Sequence, residues 1–422
     1  MGEEKALEKK TFKFRLWQKV IIGMLLGILF GHFAGKDASI LKPIGDIYIS
    51  LIKMIVIPLV FFAVLYGITS LSDAETFGRL GLKAVCIYFC TTVFAVTTGM
   101  VFANIFKPGI GVELPSGLTG IVTPETKSLI SIFVGMVPSN PIKAMAEGNT
   151  VQVVIFAFLT GFSLITIGDK GKPLRDIIVS ATNLMFKMVG LVISLTPYGV
   201  FALMAHVVGE HGFGIIGTLG KFALVVCGAL AFHYCVYGIV VFLSGLNPFI
   251  FYKKMTNAQM LAFATASSKA TLVTAMSDLR NKMGVSKQSA SFILPLGASM
   301  NMDATSIYFG ICSVFFAQMF GVDLSLTQYV IIIFASTVGS IGAAGFPGGG
   351  IIMMGMVLSS VGLPLDGIYL IIGIDRFLEM LRTTINITGD CMVTLIVDNM
   401  EGTLNKKIYN DVDVATSEKA TL

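Results

Sequence analysis

Charge is what this chain has least of. Only 13% of its 422 residues are Asp, Glu, Lys or Arg, about half the roughly 25% of ordinary soluble domains, and mean hydropathy is +0.83. That scarcity excludes a soluble globule, a disordered chain, a coiled coil and a nucleic-acid binder. The six cysteines show no CxxC spacing and read as small buried hydrophobes rather than a disulfide scaffold. The four histidines are scattered, so no metal site is legible from them. GxxxxGK[ST] is absent, which excludes ATP-driven work by this chain, and so are HExxH and GxSxG. Ser268 and Lys269 hint at a Ser/Lys dyad, but adjacent residues rarely turn towards each other, and the expectation is no enzyme.

What is present is apolar length. A helix crosses a bilayer with about 20 apolar residues. Charge-poor stretches occur at 17–35, 44–71, 84–106, 129–168, 177–208, 214–246, 289–320, 328–363 and 366–398. Lys and Arg gather in the N-terminal tail, at Arg79 and Lys83, at Lys170 to Arg175, at Lys253, Lys254, Arg280, Lys282 and Lys287, and at Lys406 and Lys407. Under the positive-inside rule these loops face the cytoplasm. Both termini are then cytoplasmic, and these basic residues set topology without binding substrate. The polar, basic first 19 residues argue against a cleavable signal. The sequon Asn386-Ile-Thr388 lies within a span, and a bacterial inner membrane fits.

The second half is built differently from the first 245 residues. Residues 258–275 form a short apolar segment broken by small hydroxyl residues and flanked by cations on both sides. They read as a re-entrant hairpin from the cytoplasmic face. Gly339-Ser-Ile-Gly-Ala-Ala-Gly-Phe-Pro-Gly-Gly-Gly350 is too rich in Gly and Pro for an intact helix. Broken backbone at membrane depth is tolerated only against protein or a wet cavity, and paired interruptions point to a transporter's central site.

The final span holds Asp375, Glu379, Arg382, Asn386 and Asp390 at spacings of 4, 3, 4 and 4, which is one helix face. Each ion at the bilayer centre costs at least about 2.5–3.5 kcal/mol, so the row implies partners and a wet cavity. A self-neutralising Glu379–Arg382 pair is the structural alternative. Asp375 and Arg376, near the outer end, read as interfacial anchors. Asn301-Met-Asp-Ala-Thr305 interrupts the run from Phe292 to Phe320, with Asp303 its sole charge. Asp and Asn compete for backbone groups, so local unwinding is expected there. Freed carbonyls with Asp303 and Asp390 make a hard-oxygen cation site. Arg382 offers planar recognition of a carboxylate, and Glu379 one turn away accepts an ammonium. A zwitterion with an extra carboxylate matches that pair, as do other zwitterions.

These motifs give the chain a resemblance to the dicarboxylate/amino acid:cation symporters, the glutamate transporter homologue family. They are the serine-rich tip at Ser267–Ser268, Asn301 to Thr305, Ser340-Ile-Gly-Ala-Ala-Gly-Phe-Pro-Gly348 with Gly349, and Arg382-Thr-Thr-Ile-Asn-Ile-Thr-Gly-Asp390. The resemblance implies an all-α polytopic membrane protein with eight transmembrane helices, two re-entrant hairpins, inverted repeats and an elevator mechanism. It implies a homotrimer in which residues 1–77 and 108–210 form a scaffold. Residues 78–107 and 211–398 form the transport domain, and 399–422 a cytoplasmic tail. Arg382 and Thr305 would hold the substrate's side-chain carboxylate. Asn386, Ser267 and Ser268 would hold the main-chain carboxylate, and Glu379, with Thr383 nearby, the amino group. The backbone at Gly345 to Gly350 would close over the substrate. One sodium site would use Asp390 with carbonyls of Gly297, Asn301 and Asn386. A second would use Tyr88, Thr91, Thr92, Asn301 and Asp303. A third would use carbonyls of Ser299, Ser340, Ile341 and Ala343, with Met302 between the sites. The implied function is sodium-coupled symport of aspartate or glutamate, with C4-dicarboxylates or protons as the alternative.

The sequence departs from the family at several positions. Ala304 stands for Gly, Val273 for Pro, Glu379 for Asp, and Ala266 for an Arg common in prokaryotic aspartate carriers. Lys269 stands at the first hairpin's tip, poised to pair with Glu379 or to snorkel to the cytoplasm. Phe309 replaces a Glu of animal members, which argues against potassium counter-transport.

Overall fold

A computed structural model describes residues 16–69, 80–111, 134–135, 137–212, 214–343 and 348–411. Every regular element among them is helical. In chain order these are α1 (Leu16–Ala34), α2 (Lys42–Thr69), α3 (Leu82–Phe106), α4 (Pro141–Ala146), α5 (Thr150–Thr166), α6 (Lys172–Ser194), α7 (Thr196–His211) and α8 (Gly214–Leu243). There follow α9 (Pro248–Thr265), α10 (Ser268–Ser277), α11 (Lys287–Met300), α12 (Asp303–Met319), α13 (Leu326–Ala343), α14 (Gly349–Ser360), α15 (Ile368–Met400) and α16 (Lys406–Asn410).

Among the described residues, four helical segments are long and apolar enough to cross a membrane: Gln18–Tyr48, Leu82–Phe106, Gly217–Leu243 and Leu326–Ala343. The pair Gly168–Val192 and Thr196–Glu210, bent by 49°, passes the same test only when the two helices are taken together. The apolar stretch 177–208 is therefore two helices, because Pro197 starts a new helix after Leu195. The helix α15 has the length, with 33 residues, but its row of charges lowers its hydropathy. Large apolar side chains point outward along the spans, including Leu25, Phe33, Phe89, Leu224, Phe242 and Leu243. An exposed apolar belt of this extent is a lipid-facing surface. Cys86, Cys90 and Cys235 lie on that surface, whereas Cys312 and Cys391 are buried. The expectation that all six are buried thus fails for α3 and α8, where an apolar residue has lipid as a second apolar solvent.

Two sets of contacts organise the helices. In one, α1 packs along α7, and α2 packs on α5, α6 and α7. The α1–α7 approach depends on Gly23, Gly27 and Gly31, since a Cβ at Gly27 would stand 2.5 Å from the Phe201 carbonyl oxygen. Small residues four apart let helix backbones meet in a medium without hydrophobic drive between helices. In the other set, α3 packs along α12, and α15 is wrapped by α8, α9, α11 and α12.

The broken segments sit around α15. The helices α9 and α10 pack on one another and are separated at Ala266, whose φ is +50°, and Ser267, whose backbone is extended. The second pair, α13 and α14, also pack together. Here α13 runs on to Ala343, four residues beyond the Gly339 at which the interruption was expected to start. Gly339 and Gly342 face the side chains of Met356 and Met353, so these glycines serve close packing within a helix rather than breaking it. Residues 344–347, Gly345 among them, lie outside the described residues. The unwinding expected at Asn301-Met302 is observed: Asn301 and Met302 leave the helical region and separate α11 from α12.

The basic residues do more than set topology. Lys254 is 1% exposed, and its Nζ donates to the carbonyls of Lys282 at 2.7 Å, Ile408 at 2.8 Å and Tyr409 at 2.8 Å. Burial lowers its affinity for the proton relative to an ordinary lysine. Lys83 Nζ reaches Glu401 at 2.6 Å. These contacts tie α16 and the end of α15 to the rest of the molecule.

Candidate functional site

The charges of α15 are buried and paired. Asp375, Glu379, Arg382, Asn386 and Asp390 are each at most 7% exposed. Arg382 Nη2 donates to Asp375 Oδ1 at 2.7 Å, and Arg376 Nη1 donates to Glu379 Oε2 at 2.6 Å. The structural alternative, a self-neutralising Glu379–Arg382 pair, is not what forms; these two pairs stand in its place. Asp375 and Arg376 are thereby corrected from interfacial anchors to site residues. The reason is geometric: with Arg382 directed at Asp375, two turns nearer the amino end, Glu379 takes the cation one turn before it.

Arg382 is cradled on three sides. The Tyr308 ring centroid lies 3.9 Å from its Cζ, an arrangement in which the ring face attracts the cation. A Cβ at Gly350 would stand 3.0 Å from Arg382 Nη1, so the absence of a side chain at Gly350 leaves room beside that nitrogen. Nη1 and Nε are buried, without hydrogen-bond partners among the described residues. Glu379 Oε1 accepts from the Gly348 N–H at the start of α14. Thr383 Oγ1 donates to the Glu379 carbonyl. Asn386 bridges α15 to the unwound segment, accepting from the Ala304 N–H at 2.8 Å and donating to Thr305 Oγ1 at 3.2 Å and Met302 Sδ at 3.3 Å. Ser267 Oγ caps α10 through the Ala270 N–H, and Ser268 is 1% exposed. Lys269, for which pairing with Glu379 and snorkelling to the cytoplasm were the two expectations, has its Nζ 5.6 Å from the Tyr66 ring centroid on α2.

A cluster of hard oxygens lies deeper. Asp303 Oδ1 accepts from Thr92 Oγ1 at 2.9 Å and Thr91 Oγ1 at 3.3 Å, and Thr91 also approaches Asn301 Oδ1 at 3.4 Å. Asp303 Oδ2 accepts from Tyr237 Oη at 2.8 Å. Asp390 Oδ1 accepts from Asn301 Nδ2 at 3.0 Å, and its Oδ2 is buried without a partner. Tyr88 Oη donates to the Ile293 carbonyl, and a Cβ at Gly297 would meet both Tyr88 Oη and Asp390 Oδ1. The structure therefore brings Tyr88, Thr91, Thr92, Gly297, Asn301, Asp303 and Asp390 together. Carboxylate, hydroxyl, amide and carbonyl oxygens suit a small hard cation, and the unpartnered Asp390 oxygen fits one. Among the described residues no three His, Cys, Asp or Glu side chains cluster as a transition-metal site would. Of the third expected set, Ser299 bonds back to the Pro295 carbonyl, Ser340 to the Thr337 carbonyl, and the Ala343 carbonyl faces Gly349.

Sequence reading missed Tyr308, Tyr237 and His233 as site neighbours, whereas Gly348 falls within the Gly345 to Gly350 stretch expected to close over the substrate. His233 is 1% exposed, with Nε2 3.6 Å from Asp303 Oδ2. His233 and Tyr237 stand four residues apart in the charge-free part of α8, and that spacing was the available signal.

Comparison with known proteins bears on this geometry. The family model described as sodium:dicarboxylate symporter matches residues 16–400. The chain is 35% identical to a proton/sodium-glutamate symport protein of Bacillus caldotenax over 403 residues, covering 93% of this chain and 95% of the relative. It is 34% identical to a proton/glutamate-aspartate symporter of Escherichia coli strain K12, covering 94% and 95%. It is 33% identical to a C4-dicarboxylate transport protein of Rhodospirillum rubrum, covering 93% and 89%.

Proposed function

The chain belongs to the sodium:dicarboxylate symporter family, a family of multi-pass membrane transporters and not of enzymes, and from that premise we propose that it imports acidic amino acids or C4-dicarboxylates together with sodium. The observation that carries the reading is Arg382. It is a guanidinium 1% exposed, held by Asp375 and Tyr308, with Nε and Nη1 unpartnered among the described residues and Nη1 beside Gly350. A buried cation with donors to spare recognises a carboxylate. Thr305 assists it, Asn386 with Ser267 and Ser268 takes a second carboxylate, and Glu379 with Thr383 takes an amino group.

The oxygens around Asp303 and Asp390 hold the coupling ion. Sodium is favoured over the proton because hydroxyl, amide and carboxylate oxygens converge there, a hard-cation donor set. The denser packing of α1, α2, α5, α6 and α7 among themselves, with α15, α13 and α14 touching that group more sparsely, supports a scaffold and a transport domain that slides as an elevator. In this reading α9–α10 and α13–α14 are re-entrant hairpins, the second closing over the substrate. Eight spans, a homotrimer and an inner-membrane location with both termini in the cytoplasm complete it.

C4-dicarboxylates are a distinct second reading, favoured by the engagement of both Glu379 oxygens within the protein. The test is uptake into proteoliposomes of aspartate, glutamate and succinate under imposed sodium or proton gradients. Accumulation of at least one of the three, driven by sodium, is expected. Uptake of none under either gradient refutes the assignment.

A further inference from the structure

The two charged ends of the site are not equally available. Among the described residues Arg382 keeps Nη1 and Nε without partners, so it has donors to offer. Glu379 is more fully engaged, with each oxygen already in a hydrogen bond and one of them on a cation. Its Oε2 accepts from Arg376 Nη1 at 2.6 Å, and its Oε1 accepts from the Gly348 N–H. The Arg376 and Glu379 side chains are 13% and 9% exposed, so this is an ion pair largely shielded from water, where Coulomb attraction is strong. A substrate ammonium directed at Glu379 meets a carboxylate whose charge is already neutralised from one turn away.

We infer that Arg376 is a specificity-determining residue: its guanidinium stands beside Glu379 where a substrate ammonium would stand, so amino-acid substrates compete with it and dicarboxylates without an amino group do not. The inference rests on the reading that Arg382 takes a substrate carboxylate and Glu379 its amino group. Arg376 also has somewhere to go. It lines a cavity with Tyr48, Thr196 and Ile351, where the Tyr48 and Thr196 hydroxyls lie 2.9 Å apart, and its own Nε has no hydrogen-bond partner. A guanidinium displaced by substrate would find those two hydroxyls as polar partners in a cavity whose other walls include Ile55, Val189 and Ile372. The site therefore discriminates by what the ligand must displace, a form of specificity built on competition rather than on new contact.

The test uses the full chain purified in sodium-containing buffer and measures equilibrium binding of aspartate and of succinate. The parent is compared with Arg376→Gln and Arg376→Lys. Removing the guanidinium is expected to strengthen aspartate relative to succinate by about fivefold or more. Lysine, a point charge without the planar fork, is expected to give a smaller shift in the same direction. An unchanged aspartate-to-succinate ratio in both variants overturns the inference, as does an equal change for both ligands. If Arg376→Gln does not fold, the lysine variant decides by the same ratio. If the parent binds neither ligand, the assignment of Arg382 and Glu379 fails first, an outcome distinct from a parent that binds with a ratio Arg376 does not move.

Discussion

At the scale of single residues, the site is held together by pairs that cannot be cut one partner at a time. Truncating Arg382 alone leaves Asp375 charged and buried, a loss on the order of 3–5 kcal/mol, so a single Arg382→Ala confounds folding with binding. The double substitution Asp375→Asn with Arg382→Gln removes both charges and leaves two polar side chains, the one at 382 shorter than the parent's. It is expected to melt within a few degrees of the parent while weakening substrate binding by about 100-fold, the worth of two charge-assisted hydrogen bonds. Thermal unfolding and equilibrium binding read the two effects separately. Asp390→Asn tests the cation site in the same spirit, since the amide keeps the volume and removes the charge next to Asn301. The sodium concentration that half-saturates substrate binding is expected to rise by about tenfold, roughly the worth of one charge-assisted contact. An unaltered sodium titration takes Asp390 out of the ion site.

At the scale of elements, the breaks in helices matter more than the helices. The first hairpin turns at Ala266, which is held at φ +50°, a left-handed conformation that costs a non-glycine residue about 1–2 kcal/mol. Ala266→Gly is therefore expected to stabilise the protein by about 0.5–1 kcal/mol, after glycine's greater freedom in the unfolded chain is set against it. A raised melting temperature checks this. The position of that turn was legible because small hydroxyl residues cluster at Ser267 and Ser268. The break at Asn301-Met302 was legible because Asn and Asp favour local hydrogen bonds over helix continuation. The start of the second interruption was misplaced at Gly339, since glycine count alone does not distinguish a helix breaker from a glycine that admits a methionine side chain across a hairpin. The bend between α6 and α7 passed unnoticed because the apolar run across Pro197 is continuous.

At the scale of the molecule, the end that carries α16 is a clamp. Lys254 collects the carbonyls of Lys282, Ile408 and Tyr409, and the Tyr409 hydroxyl donates to the Asn247 carbonyl at 2.8 Å. Lys254→Met keeps the stem's packing and orphans three carbonyls, each costing about 1–3 kcal/mol when buried. Amides of residues 405–410 are expected to exchange with solvent hydrogen at least about tenfold faster, while substrate binding persists. Unchanged exchange there would mean that α16 is held by other contacts.

The linear chain determined that this is a membrane protein, because a polymer with so little charge has too few polar groups to cover a surface in water. It also determined which helix carries a row of charges along one face, since ions spaced 3 and 4 apart in an apolar stretch share one face whatever the fold. Partner choice lay beyond it. Arg376 and Arg382 both have carboxylates within a turn or two, and sequence spacing gives Glu379 two candidate cations at equal distance. Only the folded molecule decided between them, because the Tyr308 ring, the absent Cβ of Gly350 and the Gly348 N–H come from elements far away in sequence, and together they turn Arg382 towards Asp375 and leave Glu379 to Arg376.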